Sequence, residues 1–494
     1  MSMLTRREML EQSMFAATAA LAASSGGLLF AADEQSDQKS IGPNDKIGLA
    51  IIGAGGRGGE HIAEYLKNPN CEILYIVDAD EKHGDEKCET IAKKSGRKPK
   101  NVTDLRKALE DPNLHATSIA TPNHWHALAA IWSMQAGKDV YVEKPVSHNV
   151  SEGRRVVETA RKYNRICQTG TQSRSTTAIN DGINYVKSGK IGEVNLARAL
   201  CYKPRGSIGP KVAGEVPSTV NYDLWLGPAP MKQPTRKQFH YDWHWFWDYG
   251  SGDLGNQGIH QMDLARWGLG LDTLPSNVLS YGGRLGYEDA GETANTQIIL
   301  HDYGPKTIVF EVRGLDTQAL PLKPFKGARV GVIYEGTDGY VVLTHDYNTG
   351  TAFDKNGKLV QTFKGGGSHF DNFLSAVRSR KVEDLHADIQ EGHMSSALCH
   401  LGNISYRLGE QVSFAEAAEK LKGIPSHDNN LETFERFKGH LAEHQVPVDK
   451  ITIALGQNLP FDAKAEKFVK NDKADALLTR EYRAPYVVPA QGKV

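Results

Sequence analysis

Short apolar runs alternate with amphipathic segments through the first third of the folded chain. Residues 46–52 read as a strand, then come a glycine turn and a helical pattern through Leu66, and 71–77 read as a second strand. Thr103 caps a short helix, 116–120 form a strand, 125–136 a helix stopped by Gly137, and 139–142 another strand. A helix at 151–163 and a strand ending at Thr169 complete the series. Apolar strands separated by helical patterns predict a parallel sheet buried on both faces, a doubly wound α/β domain of the Rossmann type.

The pattern changes after residues 170–174, which read as a hinge. Strand-like runs at 194–201, 278–281, 296–300, 307–312, 331–334 and 340–343 follow one another with few helices between, predicting an α+β domain with a large, mostly antiparallel open sheet. Helices are expected at 253–267, 369–379 and 389–408. The expected organisation is a leader at 1–32, a linker at 33–45, domains at 46–170 and 171–430, and a tail at 431–494 packing back on the body. No internal repeat is apparent.

Composition narrows the class. The 494 residues carry 58 Lys+Arg against 59 Asp+Glu, a formal net charge of -1, which speaks against a nucleic-acid partner. The five cysteines, Cys71, Cys88, Cys167, Cys201 and Cys399, are scattered and form no CxxC pair, so they read as buried thiols rather than a disulfide frame or thiolate zinc site. Near the start, Arg6-Arg7 precedes a mild apolar run at 14–30, too weak and short for stable anchoring. This resembles a twin-arginine export signal, with Ala31-Ala32 before Asp33 as a cleavage site and an uncleaved surface anchor as the alternative. The expectation is a periplasmic or otherwise exported protein, carried folded by the twin-arginine machinery.

Candidate chemistry begins after the first strand. Gly53-Ala54-Gly55-Gly56-Arg57-Gly58 is GxGxxG between a strand and a helix. Gly53 serves the tight turn, Gly55 the close approach to a pyrophosphate, and Gly58 the helix–strand packing, with the helix N-terminus facing the anion. Asp78, at the end of the second strand, stands where an acid meets the adenosine ribose, and it disfavours a 2′-phosphate. NAD is therefore expected over NADP, with Arg57 able to bridge a phosphate and weaken that preference. Two further strand ends, Thr121-Pro122-Asn123-His124-Trp125-His126 and Glu143-Lys144-Pro145, fall where the nicotinamide would lie.

These motifs together, with 250–263 and the tail motif 481–489, resemble the glucose-fructose oxidoreductase and inositol dehydrogenase family, abbreviated Gfo/Idh/MocA, in its exported bacterial branch. The resemblance implies a catalytic or orienting role for Lys144 beside the nicotinamide and the substrate hydroxyl. It makes His260 the general base, with Asn256 standing where many relatives have aspartate. An amide orients an imidazole but cannot stabilise its cation by charge. Asn256, His260 and Asp263 are spaced to share one helix face. Motif position assigns Gly56, Thr121, Pro122, Asn123, His126, Glu143 and Gln172 to the cofactor pocket. The resemblance also implies that one face of the second sheet covers the nicotinamide while the other is free for self-association, giving a homo-oligomer.

Tyr202, Lys203, Arg205, Asp223 and Gln257 are polar candidates for the substrate, together with His260. Phe239, Tyr241, Trp243, Trp245, Phe246, Trp247 and Tyr249 crowd one short segment. In extended form Trp243, Trp245 and Trp247 would share a face, a carbohydrate platform flanked by His240, Asp242 and His244; core packing or an interface is the alternative. No metal is expected, because the pairs His124/His126 and His240/His244 lack a carboxylate or thiolate at ligand spacing. The leading function is an exported NAD-dependent oxidoreductase acting on the CH–OH group of a sugar, glycoside or cyclic polyol, with its cofactor loaded before export and held tightly. The alternatives are an NAD-dependent glycoside-cleaving enzyme working by oxidation, elimination and reduction, and a non-catalytic NAD-loaded sugar-binding protein.

Overall fold

The computed structural model describes residues 42, 45–315, 321–344 and 346–494; the leader at 1–32 and nearly all of the 33–45 linker lie outside the described residues. Six parallel strands form the first sheet: β1 Ile47–Ile52, β2 Cys71–Val77, β3 Lys100–Val102, β4 Ala116–Ile119, β5 Asp139–Val142 and β6 Cys167–Thr169. Their order is β3-β2-β1-β4-β5-β6, the doubly wound Rossmann arrangement. Every residue of β1, β4, β5 and β6 is buried, as apolar runs sandwiched between helix layers require. The register pairs Ile52 with Val77 and with Ile119, and Ile119 with Val142. The residues that follow these four, Gly53, Asp78, Ala120 and Glu143, therefore emerge at one level along the carboxyl edge.

The second sheet has twelve strands. Its centre is β7 Val194–Tyr202, β8 Asn277–Gly283, β9 Thr296–Asp302, β10 Thr307–Arg313, β11 Val330–Gly336 and β12 Gly339–Thr344. Strands β13 Thr349–Asp354 and β14 Leu359–Lys364 extend one edge, and β15 Glu410–Val412 and β16 Ile453–Leu455 extend the other. Pairing is antiparallel except between β7 and β10. The strands beyond β12 were not legible as alternating runs because β15 and β16 are three residues long, β14 is mostly exposed and β13 has only Ala352 and Phe353 as apolar side chains.

Four local expectations need correction. Asp104, not Thr103, caps the short helix, its side chain accepting from Arg106 N. The helix expected at 253–267 is two, Gly252–Asn256 and Gly258–Leu269, joined at Gln257. Trp243 and Trp245 sit in a 3-10 turn, Asp242–Trp245, so the tryptophans do not form the ladder of an extended strand. Residues 431–494 are also more than a tail: the helix Asn430–Glu443 and strand β16 are built into the second domain.

That helix also covers part of the sheet face expected to be free for self-association. Phe434, Phe437 and Leu441, with Phe414 and Leu421 from the helix Phe414–Leu421, bury Leu196, Tyr281, Ile298, Leu300 and Val309 on the side of the sheet away from the first domain's cleft. Phe437 is fully buried, its ring edge-on to Tyr281 at 5.5 Å. Phe437→Ala is expected to cost about 3–5 kcal/mol through lost burial and the cavity left behind, measured as a lowered midpoint of denaturant unfolding. The chain's end returns to the first domain, where Tyr486 and Val488 join the core around Trp125. All five cysteines are free and buried, and among the described residues no helix is long and apolar enough to cross a membrane.

Candidate active site

One cleft of about 390 Å³ runs along the carboxyl edge of the first sheet and is roofed by the second domain. Gly53, Gly55, Gly56, Arg57, Asp78, Thr121, Pro122, Asn123, His126, Glu143, Lys144, Trp243, His244 and Asn256 all line it, so most of the expected positions converge. At the dinucleotide end Gly53 has φ +84, a conformation that favours glycine. Gly55 and Gly56 face open space at the start of the helix Gly56–Tyr65, whose N-terminus has no side-chain cap. Uncapped amides beside an open glycine cradle fit a pyrophosphate. Asp78 accepts from Ala54 N at 2.8 Å and from Asp80 N at 2.9 Å, which aims its carboxylate at the cleft. These residues fit an NAD.

Gly58 plays the packing part. A Cβ there would stand 1.9 Å from Gly53 O, so any side chain must push the helix off β1. Gly58→Ala is expected to abolish nucleotide binding in calorimetry by deforming the cradle, even where the fold persists.

Midway along the cleft lies a buried charge cluster. Glu143 Oε1 accepts from Arg57 Nε at 2.7 Å and faces His61 Nε2 at 3.1 Å, while His61 Nδ1 meets Ser118 Oγ at 2.9 Å. Burial alone would raise the Glu143 carboxyl, but Arg57, His61 and Lys144 outweigh it and hold it well below the ordinary range. Arg57 also donates to Gln172 Oε1 at 3.1 Å, which accounts for Gln172. Arg57 is therefore tied to Glu143 rather than standing free for a phosphate.

Lys144 follows at the strand end, its Nζ donating to the backbone carbonyl of Asn256 at 2.8 Å. Burial lowers the Lys144 ammonium below the usual lysine range; Glu143 opposes that shift, and Arg57 and Lys203 add to it. His244 lines the same space, stacked on Trp243 at 3.7 Å with Nδ1 2.5 Å from Tyr241 O. Burial, with Lys144 nearby, pushes it down to about 3. His260 lies just behind, buried, with its Nδ1 lacking a hydrogen-bond partner among the described residues and its ring 5.5 Å from Tyr347. Burial and then Lys144 hold it well below the normal histidine value. The end of the cleft thus holds an amine whose ammonium is depressed by burial beside the His244 imidazole, with His260 buried behind, a set able to take a proton from a hydroxyl.

Other expected residues fall differently. Asp263 shares no task with His260: it is fully buried against Arg174, at 2.8 and 2.9 Å. Asn256 holds Lys144 through its carbonyl rather than orienting the His260 ring. Lys203 donates to Gln257 Oε1 at 2.9 Å beside the site, and Arg205 forms a two-point pair with Asp253 at 2.6 and 2.8 Å beneath it. Tyr202 lies outside, on the opposite side of β7, bonded to Glu311 at 2.5 Å in a charge cluster with Arg198 and Arg436. Asp223 is outside too, anchoring the chain's end through Arg483 and through Tyr486 Oη at 2.8 Å. Its neighbours Leu224 and Trp225 line the cleft instead. His124 and His126 brace it, bonded to the carbonyls of Trp225 and of Pro145 and Thr121.

Residues missed from sequence include His61 and Tyr347. A signal existed for His61, which shares a buried helix stripe with Gly58, Ile62 and Tyr65. None existed for Tyr347, which the turn between β12 and β13 delivers from far along the chain.

Fold and cleft define a two-domain dinucleotide-binding protein with an amine and imidazoles at the reactive end. Comparison with known proteins gives the family: residues 47–171 match the oxidoreductase family's NAD-binding Rossmann fold, and 209–438 match its C-terminal alpha/beta domain. The chain belongs to the Gfo/Idh/MocA oxidoreductase family. It is 27% identical over 180 residues to a levoglucosan dehydrogenase of Pseudarthrobacter phenanthrenivorans, 36% of this chain and 39% of that protein. It is 28% identical over 155 residues to an alpha-N-acetylgalactosaminidase of Shewanella oneidensis, 30% of this chain and 33% of that protein. The chain's matches thus span little more than a third of the length of these curated relatives. In fold it resembles the WlbA dehydrogenase of Bordetella pertussis, solved with NADH and UDP-GlcNAcA, at a TM-score of 0.54 and 19% identity over 73% of this chain and 97% of that one.

Proposed function

We propose that this chain is an exported NAD-dependent oxidoreductase that oxidises a secondary hydroxyl of a sugar, glycoside or cyclic polyol, or reduces the matching ketone, with a tightly held cofactor. The observation that carries this reading is that Lys144 and His244 line one end of a cleft, with His260 buried behind them, and that the Gly53, Gly55 and Asp78 cradle lines the rest of it. NAD, when bound, supplies a hydride acceptor. Neutral Lys144 takes the hydroxyl proton as the hydride leaves the same carbon, and Glu143 and the Asn256 carbonyl hold the resulting ammonium in place. In the reverse direction that ammonium returns the proton to the developing alkoxide. Tyr241 and Trp243 give the cleft an apolar wall against which a sugar ring can lie. The sugar class is supported by the levoglucosan dehydrogenase relative, and export by Arg6-Arg7 ahead of the apolar run.

Denaturing the purified exported protein and weighing the released nucleotide tests the cofactor: NAD near one per chain is the expected result, and a protein that neither carries nor binds NAD sinks the reading. A second reading has its own support, since His244 and His260 offer bases besides Lys144 and one relative is named as a glycosidase. Oxidation acidifies the neighbouring C–H, a second base removes that proton, the glycosidic bond breaks by elimination, and the hydride returns after water adds. Aglycone release from an aryl glycoside without net reduced nicotinamide would select it over simple dehydrogenation.

A further inference from the structure

Three side chains that no sequence motif joined meet at the outer end of the cleft. Asp80 caps the helix Glu81–Ser95, His83 lies in the first turn of that helix, and His240 arrives from the second domain. His240 Nε2 stands 3.1 Å from Asp80 Oδ2, His83 Nδ1 stands 3.9 Å from the same oxygen, and one ligand atom from each residue lies within 4.8 Å of the others. The two rings face one another with centroids 4.4 Å apart. Spacing along the chain could not reveal this set, since His240 is paired in sequence with His244, which turns instead toward Trp243 and Lys144.

We propose that Asp80, His83 and His240 form a binding site for a divalent cation of the zinc class, joining the two domains at the cofactor cleft. Ligand atoms about 2.0–2.1 Å from a tetrahedral zinc stand about 3.3 Å from one another. The observed separations bracket that distance, so small side-chain rotations close the set. Two imidazoles and one carboxylate suit zinc and its cobalt substitute rather than calcium or magnesium, which take all-oxygen ligation.

The acid is fixed and the rings are accessible, as a filling site requires. The Asp80 side chain is 4% exposed, against 32% for His83 and 38% for His240, and both rings line the open cleft. Asp80 is held by its backbone N–H on Asp78 Oδ1 at 2.9 Å and by Lys82 N on its own carboxylate at 3.2 Å, the supporting bonds that orient a ligand. The neighbouring backbone is already stitched across the domains: Glu81 N donates to Thr219 O at 3.0 Å and Asn221 N to Ala79 O at 2.8 Å. The site thus has three protein ligands, a preset carboxylate, and a side open to water for the fourth position. Its role is to fasten the second domain beside Asp78, with no part in proton or hydride transfer.

Cobalt titration of the chelator-treated, untagged full-length protein, followed by visible absorption, tests this. The expected result is one Co²⁺ per chain with the intense absorption of tetrahedral nitrogen and oxygen ligation, displaced by Zn²⁺. In both His83→Ala and His240→Ala, affinity falls by about 10-fold or more, as loss of a ligand should cost at least what loss of a supporting bond does. Both rings are partly exposed, and circular dichroism verifies that the variants fold. A titration without a saturable band overturns the proposal, as does a band equal in the wild type and both variants, which would place the cobalt elsewhere. The readout is the metal alone, so its failure leaves the oxidoreductase reading standing, and failure of that reading leaves the metal result standing.

Discussion

Lys144→Ala lowers turnover by about 10²–10⁴-fold, the contribution of a positioned proton-transfer group, while NAD occupancy, read by mass after denaturation, stays near the wild-type level. Among the described residues its Nζ hydrogen-bonds the Asn256 carbonyl, and the nucleotide cradle lies elsewhere along the cleft. The pH profile carries the sign. Burial lowers the Lys144 ammonium, so its neutral form appears at lower pH than for a free lysine. Oxidation, which needs the neutral amine, rises with pH through that depressed value and levels off above it; reduction, which needs the ammonium, falls over the same interval. In Lys144→Ala this limb disappears from both directions. An unchanged rate and profile at equal cofactor occupancy would remove Lys144 from the chemistry.

Asp263→Ala costs about 3 kcal/mol of stability, near the lower end for removing one partner of a buried ion pair. Its carboxylate meets Arg174 at two points and accepts from Ser395 Oγ at 2.7 Å, with Arg266 at 4.0 Å. Arg174 and Arg266 are both nearly inaccessible, so the substitution leaves two buried guanidinium groups sharing the single carboxylate of Glu391. The loss appears as a lowered unfolding midpoint. Because Asp263 and His260 share the helix Gly258–Leu269, activity per folded molecule also falls, through displacement of His260. Asp263→Asn, which keeps the Ser395 bond but not the charge, falls between the two.

The first domain was legible because its physics is local. An apolar run ending in GxGxxG, with an acid at the end of the next strand, fixes both the sheet order and the cradle, and Gly53, Gly58 and Asp78 stand as that pattern required. The second domain was legible only as a class. Its central strands show alternation or apolar runs, whereas the edge strand β14 is mostly exposed and its neighbour β13 is buried at only two of its six positions. The reactive end mixed both cases. Lys144 was visible at a motif position and His244 only as a flank of the aromatic segment, while Tyr202 was misplaced because alternation along β7 turns it to the far face. Asp223 looked available in a loop until Arg483 and Tyr486 claimed it from the opposite end of the chain. The cluster of Asp80 and His83 with His240 is likewise invisible to spacing, because tertiary contact alone creates it.

In the proposed function this cleft moves a hydride between a sugar and a held NAD. This is tested most directly by recording the reduced-nicotinamide absorbance of the native, NAD-loaded protein while sugars, glycosides and cyclic polyols are added one at a time. A band that rises toward one equivalent per chain with at least one of them, and is absent from Lys144→Ala at equal occupancy, is the predicted result. NAD-loaded protein that shows neither a band nor product with any of them contradicts the claim and leaves a nucleotide-binding protein without this chemistry.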